Sequence, residues 1–103
     1  MKWIKGRQGT GYEKFVVLYL TDVFDLLIIR YKKGDYIPKH VDKLDSDKKH
    51  YRLNILLKGE DSFECERVIF KWYRFCLFRP DLYEHEVKSV KRTRYVLSIG
   101  LAV

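Results

Sequence analysis

The stretch Arg94-Tyr95-Val96-Leu97-Ser98-Ile99-Gly100-Leu101, near the end of the chain, decides the fold class. Its β-branched and aromatic residues are typical of a β-strand. Its apolar residues fall at both odd and even positions, so both faces of the strand need cover. Residues 51–58 begin as a clean polar and apolar alternation and then also become apolar on both faces. Two such strands in a chain of 103 residues indicate two packed β-layers or a subunit partner.

Short segments of strand length and composition recur along most of the chain, with turn residues such as Lys33-Gly34-Asp35 and Lys58-Gly59-Glu60-Asp61 between them. They are residues 14–20, 24–31, 36–41, 51–58, 62–70, 72–78, 83–90 and 94–101. No segment keeps a helical period over three turns, and a short turn near Asp22 is the one helical feature considered. Further turns are expected at Thr21-Asp22 and at Asp45-Ser46-Asp47, and the first dozen residues are expected to be irregular. The pattern predicts one all-β domain, a sandwich or barrel, that occupies residues 1–103.

The charge balance is basic: 21 Lys and Arg residues against 14 Asp and Glu residues give a net charge of +7. This excess suggests an anionic partner, which could be nucleic acid, an acidic peptide or a small dicarboxylate. Charge alone does not separate these three classes, and a basic surface without a specific partner explains the balance equally well.

The chain shows no targeting or membrane-spanning pattern. Residues 1–7 are charged and contain no apolar signal-peptide core, and the longest apolar runs are too short to cross a bilayer. We therefore expect a soluble cytoplasmic protein without a membrane partner. Cys65 and Cys76 do not have the spacing of metal ligands, so the sequence predicts two unpaired thiols.

One short motif carries recognisable chemistry, His40-Val41-Asp42. In a strand, alternate side chains point to the same side, so an imidazole and a carboxylate would face one metal ion together. His85 is the candidate third ligand, and two histidines with one carboxylate are typical of oxygen-activating non-haem iron. The motif alone is weak, because a solvated turn after a strand explains it as well.

The surrounding residues strengthen this interpretation. The string from Ile29 through Tyr31 and Gly34 to His40-Val41-Asp42, followed by His85-Glu86-Val87 and, nine residues past that histidine, Arg94, resembles the 2-oxoglutarate/Fe(II)-dependent dioxygenase family. The resemblance covers roughly residue 24 to the C-terminus and is similar to small phage-type members. It implies a minimal double-stranded β-helix, also called a jelly roll or cupin-like fold. The location would then be the host cytoplasm.

The resemblance also implies roles for individual residues. His40, Asp42 and His85 would hold Fe(II), and Arg94 would pair with the distal carboxylate of 2-oxoglutarate, for which a guanidinium is well suited. Tyr31 would donate a hydrogen bond to this cosubstrate, and Ser98 would share a face with Arg94. Arg52 and Asn54 are predicted to point into the barrel near an anionic substrate. His50 is predicted to belong to a mobile loop over the site. O₂ would be the co-reactant of a hydroxylase or demethylase.

Two other functions are compatible with the same residues. A catalytically inactive jelly roll could serve as a binding module for a host protein or nucleic acid. An unrelated basic β-domain could bind nucleic acid on one open surface lined by cationic and aromatic residues. The sequence also predicts that the first twenty residues fold back over the sheet, or that two chains form a homodimer, sheet against sheet.

Overall fold

The strands of the protein were located in a computed structural model that describes residues 3–6, 9–20, 23–42 and 48–103. Among these residues there are strands and turns, and no helix. The strands are β1 (Trp3–Lys5), β2 (Glu13–Leu20), β3 (Phe24–Tyr31), β4 (Ile37–His40), β5 (His50–Lys58), β6 (Phe63–Cys65), β7 (Val68–Trp72), β8 (Phe75–Phe78), β9 (His85–Val87) and β10 (Arg94–Ala102). The prediction of an all-β domain is confirmed.

The strands form two antiparallel sheets. The larger sheet has seven strands in the order β1-β2-β3-β10-β5-β8-β7, and the smaller has three in the order β4-β9-β6. Strand β10 lies in the middle of the larger sheet and pairs with β3 on one side and β5 on the other. β10 is formed by residues 94–102, whereas β3 and β5 are formed by residues 24–31 and 50–58. The large sheet therefore depends on contacts between distant parts of the sequence.

The hydrophobic core lies between the two sheets. Its buried members come from both layers, since Ile29 and Val96 belong to the larger sheet and Val87 to the smaller one. Phe63 of β6 and Phe78 of β8 also meet across the interface, with ring centroids 4.7 Å apart. The cover that β10 requires on its inner face is therefore supplied by β4, β9 and β6.

The described strands are more numerous than the predicted segments. Predicted segment 62–70 is two strands, β6 and β7, because the chain leaves the small sheet at Glu66, whose N–H donates to the carbonyl of Glu84, and enters the large one. Predicted segment 72–78 is interrupted by the turn at Tyr73, which connects β7 to β8 as a hairpin. The expected irregular lead-in contains β1.

The N-terminal strands extend the large sheet at its edge. β1 pairs with β2, and β2 pairs with β3, so these residues lie beside the sheet rather than across its face. The expectation that this segment folds back over the sheet is therefore wrong for the described residues. Tyr12, which precedes β2, does enter the core, where its ring stacks on that of Tyr31.

Among the described residues there is no helix of the length and apolarity that crossing a membrane requires.

Two predicted turns contain glycines in the left-handed region of backbone conformation. Gly34 has φ of 92° and open space where a Cβ would be, whereas Gly59 has φ of 99°. A Cβ at Gly59 would lie 2.9 Å from the carbonyl oxygen of Thr93 and 3.1 Å from the Cα of Arg94. The turn after β5 therefore packs directly against the start of β10. The turns predicted at Thr21-Asp22 and Asp45-Ser46-Asp47, and the helical turn near Asp22, lie outside the described residues.

These two glycines give a test of the fold. We expect Gly34→Ala to lower the free energy of unfolding by about 1–2 kcal/mol, the cost of a left-handed conformation for a residue with a Cβ. Gly59→Ala should cost about 1–3 kcal/mol more, because overpacking adds to the backbone strain. Urea denaturation of both variants measures the difference. Equal losses would show that β10 does not pack on this turn.

Candidate metal centre and cavity

The three predicted metal ligands come from the smaller sheet and the segment that follows β4. His40 is the last residue of β4 and His85 is the first residue of β9, and these two positions are direct cross-strand partners. Asp42 follows two residues after His40, and its backbone N–H donates to the carbonyl of Pro80 at 2.8 Å. That bond fixes the segment after β4 against the turn that leads into β9.

The side chains of these residues converge on one point. The Nε2 atom of His40 lies 3.4 Å from Oδ1 of Asp42, and Nε2 of His85 lies 3.4 Å from Oδ2 of the same carboxylate. The ligand atoms of all three residues lie within 4.8 Å of one another. The structure therefore brings His85 together with His40 and Asp42, and their role as metal ligands stays a prediction.

Hydrogen bonds at the back of each imidazole determine which nitrogen faces the centre. Nδ1 of His40 lies 2.7 Å from the carbonyl oxygen of Pro38, and Nδ1 of His85 lies 3.0 Å from that of Tyr83. A carbonyl oxygen only accepts, so both Nδ1 atoms carry the proton and donate. In the neutral imidazoles, the Nε2 lone pairs then point towards the Asp42 carboxylate. Such an arrangement of three acceptors is favourable when positive charge lies between them, either a metal ion, as in metal sites, or a proton on the Nε2 atom of an imidazole.

In the metal-free protein the positive charge beside Asp42 comes from the protonated histidines. Burial raises the pKa of its carboxyl group, but the hydrogen bonds and charges of His40 and His85 outweigh burial and hold the pKa well below its usual value. The carboxylate is therefore ionised at neutral pH and available as a ligand. Ligands at right angles around an ion with bonds of ~2.1 Å lie about 3.0 Å apart, and tetrahedral ones about 3.4 Å apart. The separations of 3.4 Å match the tetrahedral value and are about 0.4 Å longer than the right-angle value.

A cavity of about 830 Å³ opens between the sheets beside this centre. The three ligand residues line it, and so do most of the residues that the sequence predicted for cosubstrate or substrate. Those residues are Tyr31, His50, Arg52, Asn54 and Ser98.

Arg52 organises the polar part of the cavity wall. It forms a two-pronged ion pair with Asp25, with contacts of 3.0 and 2.8 Å, and donates to Oγ of Ser98 at 2.8 Å. Ser98, which is fully buried, donates in turn to Oδ1 of Asn54 at 2.6 Å. The pair lies over Gly100, where a Cβ would be 2.3 Å from Nη2 of Arg52. Both Nη atoms of Arg52 are thus engaged within the protein, so its charge is already balanced.

Asp25 is the site residue that the sequence reasoning missed. It is a charged residue in the otherwise apolar beginning of β3, Phe24-Asp25-Leu26-Leu27-Ile28-Ile29, which was the available signal. A carboxylate at an inward position of a strand requires a partner, and Arg52 supplies it.

His50 lies in a strand rather than in the expected mobile loop, because it is the first residue of β5 and pairs with Ala102 of β10. Its Nε2 atom lies 3.3 Å from Nη2 of Arg52, which can only donate. Neutral His50 therefore carries its proton on Nδ1, a buried atom without a hydrogen-bond partner. Burial and the charge of Arg52 lower the pKa of His50, which keeps the ring neutral.

Arg94 is the predicted cosubstrate residue that does not line the cavity. It is 3% exposed, its guanidinium lies 4.7 Å from the centre of the Tyr31 ring, and its Nε donates to the carbonyl of Glu60 at 3.1 Å. Arg94 and Ser98 do share the inner face of β10, as predicted. Tyr31 stands between the guanidinium and the cavity. Burial raises the pKa of the Tyr31 hydroxyl to about 12, although Arg94 acts in the opposite direction.

Comparison with known proteins was informative at the level of structure. No family model and no curated protein sequence matches the chain. KdgF from Halomonas sp. superposes with a TM-score of 0.70 at 14% identity, over 98% of this chain and 87% of that one. The Cnp3 cupin domain of Schizosaccharomyces pombe gives 0.69 at 10% identity, over 89% of this chain and 65% of that one. The chain has the cupin fold.

The predicted double-stranded β-helix is therefore confirmed. A third cupin-fold match, the DMSP lyase DddQ from Ruegeria pomeroyi DSS-3, has a TM-score of 0.62 at 14% identity, over 97% of this chain and 55% of that one. At such identities the likeness concerns the fold alone. The chain spans 65% and 55% of the length of two of these three structures.

The metal centre leads to a direct test by substitution. We expect His40→Ala, Asp42→Ala and His85→Ala each to weaken divalent-metal binding by more than the roughly 10- to 100-fold that loss of an outer-shell partner causes. The metal-free fold should survive, because it depends on the apolar strands. Anaerobic calorimetry with Fe(II), and with Zn(II) for comparison, measures the affinity.

His50→Ala is the matched control, since it removes a cavity histidine outside the cluster. It should bind metal as the parent protein does. If His50→Ala lost the metal while His85→Ala kept it, the third ligand would be misassigned.

Proposed function

We propose that this cupin is an Fe(II)-dependent oxygenase that uses 2-oxoglutarate as cosubstrate, of the hydroxylase or demethylase type. The observation that supports it most is the convergence of two Nε2 atoms and one carboxylate at the cavity wall, each imidazole being held from behind by a backbone carbonyl. Two histidines and one carboxylate with open positions favour Fe(II) among the divalent metals. When bound, Fe(II) supplies redox chemistry with O₂ and adjacent coordination positions for a chelating cosubstrate.

The protein's own residues would hold the ligands in place and keep water away from them. The rings of Phe78 and Phe63 lie 5.3 and 6.2 Å from the ring of His85, measured between centroids. The side chain of His85 is only 8% exposed. This apolar backing strengthens the interaction of the carboxylate with a cation, because it lowers the local dielectric constant. The open side of the centre faces the cavity, where a substrate would enter.

Tyr31 and Arg94 would together hold the distal carboxylate of 2-oxoglutarate. Tyr31 lines the cavity, and its hydroxyl, with a pKa of about 12, keeps its proton and can donate. In this proposal the ligand carboxylate replaces the carbonyl of Glu60 as the partner of Arg94, at the edge of the Tyr31 ring. The cavity volume of about 830 Å³ leaves space for a second small molecule or a side chain beside the cosubstrate.

The substrate is proposed to be anionic, such as nucleic acid or an acidic peptide, in keeping with the net charge of +7. A specific observation favours one alternative function, a catalytically inactive binding module. Arg94 does not line the cavity, and its guanidinium already contacts the carbonyl of Glu60 and the Tyr31 side chain. In a binding module no cosubstrate carboxylate competes for Arg94, so the guanidinium would keep these two partners.

Substitution of Arg94 distinguishes the oxygenase from the inactive binding module. A charge-assisted hydrogen bond contributes roughly 1.5–3 kcal/mol, so Arg94→Ala should weaken 2-oxoglutarate binding by about ten- to a hundredfold. Fe(II) binding should change little. Calorimetry on the Fe(II)-loaded protein without oxygen measures the affinity, and the weak visible absorption of the chelate, together with succinate formation in air, reports the same complex.

Arg92→Ala is the control, because Arg92 is exposed and lies two residues before β10. An equal loss of 2-oxoglutarate affinity in both variants would indicate general electrostatic attraction of an anion. It would argue against a specific binding site for the distal carboxylate at Arg94. Unchanged binding in Arg94→Ala would remove this cosubstrate from the proposal and favour the binding module.

A further inference from the structure

The turn between β8 and β9, residues 79–83, contacts two of the three residues of the candidate metal centre. The carbonyl of Pro80 accepts the backbone N–H of Asp42 at 2.8 Å. The carbonyl of Tyr83 accepts the Nδ1 proton of His85 at 3.0 Å. One turn therefore supplies the backbone acceptors that fix the segment of Asp42 and orient the ring of His85. We refer to residues 79–83 as the anchor turn.

Backbone hydrogen bonds hold the anchor turn only weakly. The N–H groups of Leu82 and Tyr83 both donate to the carbonyl of Arg79, each at 3.2 Å. These distances lie at the long end of the range for N–H···O bonds. Residues 79–84 belong to no strand, so the ladder bonds of the two sheets do not reach them. The position of the turn must depend largely on side chains.

An ion pair within the turn provides a stronger connection. Nε and Nη2 of Arg79 donate to Oδ1 and Oδ2 of Asp81 at 2.9 and 2.7 Å, which is the two-pronged geometry of strong guanidinium–carboxylate pairs. The two side chains are only 15% and 10% exposed, so water weakens this pair less than it weakens a surface pair. The pair spans Pro80 and therefore restrains the carbonyl that accepts from Asp42.

The same two side chains connect the turn to the larger sheet. The guanidinium carbon of Arg79 lies 5.0 Å from the centre of the Tyr51 ring. Burial raises the pKa of Asp81, but hydrogen bonds from the Arg79 side chain and from the backbone of His50 hold it below its usual value. His50 and Tyr51 are the first two residues of β5. The ion pair is thus attached to the beginning of a strand that lies inside the large sheet.

We propose that Arg79 and Asp81 are positioning residues of the metal centre. By fixing the anchor turn to β5, they hold Asp42 and His85 in the arrangement in which both face one ion. This inference rests on the metal-binding part of the proposed function and adds the residues that hold two of the ligands from behind. Their influence passes through backbone carbonyls, which no substitution can remove, so it is accessible only through the side chains that fix those carbonyls.

The third ligand is held independently. Nδ1 of His40 donates to the carbonyl of Pro38 within β4, at 2.7 Å. The anchor turn therefore sets the positions of two ligands against one that its own strand fixes. Because β5 also carries Arg52 and Asn54 of the cavity wall, the ion pair sets the separation between that wall and the centre as well.

Asp81→Asn tests the proposal, because the amide keeps the shape of the side chain but can accept from Arg79 through only one oxygen. We expect the affinity for Zn(II), and for Fe(II) without oxygen, to fall by about 10- to 100-fold, as for loss of an outer-shell partner. Calorimetry measures it. Glu13→Gln is the matched control, since it makes the same change in the Glu13–Arg30 ion pair of 2.7 Å between β2 and β3. It should bind metal as the parent protein does.

Amide hydrogen exchange of the metal-free protein, followed by NMR, separates a positioning role from a general loss of stability. In Asp81→Asn the amide of Asp42 should exchange at least about tenfold faster relative to that of Val96, because the turn opens locally while the centre of β10 exchanges only through global unfolding. Arg79→Lys keeps the charge but loses the planar fork, so it should show the same selective effect and replaces Asp81→Asn if that variant does not fold.

Three results distinguish this inference from the proposed function. Equal acceleration at Asp42 and Val96, or none at Asp42, would overturn the positioning role. Parent-like metal affinity in Asp81→Asn would overturn it too. A parent protein that binds no metal would overturn the proposed function instead, and selective exchange at Asp42 would then still support Arg79 and Asp81 as the residues that place the cluster.

Discussion

The pairing of β10 with β3 and β5 is the constraint on which the remaining structure depends. Once this strand is fixed in the middle of the large sheet, its alternate residues must point in opposite directions. Arg94, Val96, Ser98 and Gly100 then face the interior, while Leu97 and Ile99 face outward. The cavity wall and the apolar outer face are therefore two consequences of one register. A shift of β10 by one residue would exchange them.

The cluster of His40, Asp42 and His85 depends on a second, much shorter register, that of β4 with β9. Its three-stranded sheet contributes few backbone hydrogen bonds, so its position is maintained mainly by packing of Phe63 and Val87 on the large sheet. The bond from Asp42 to Pro80 adds a tie outside the strands. The candidate ligands thus lie on the smaller layer, while the polar wall of Arg52, Asp25 and Ser98 lies on the larger one. A bound molecule between them would contact both layers.

Local pattern was sufficient to predict most strands and the shared direction of His40 and Asp42, because both follow from alternation at short range. His85 lies far along the chain from them and was predicted from the family resemblance. Local pattern was not sufficient where the surroundings of a residue, or the sheet that a strand joins, depend on a part of the chain that is distant in sequence. The inward direction of Arg94 was predictable from the parity of β10, but the Tyr31 ring that separates it from the cavity belongs to another strand. Similarly, the two strands within residues 62–70 differ only in which sheet each one joins.

Strand β7 lies at the edge of the large sheet, where positively charged residues can prevent association with another sheet. This role of the basic residues requires no anionic partner. This strand leaves one side of its backbone unpaired and exposes Ile69, Phe70 and Trp72, a combination that invites association between sheets. Lys71 lies within the strand and is paired with Asp61 at 2.7 Å, whereas Arg67 and Arg74 flank the strand. Cations at these positions repel a second edge of the same kind. The positive charge of the chain thus contributes to colloidal stability and would be costly to neutralise when the protein is formulated or redesigned.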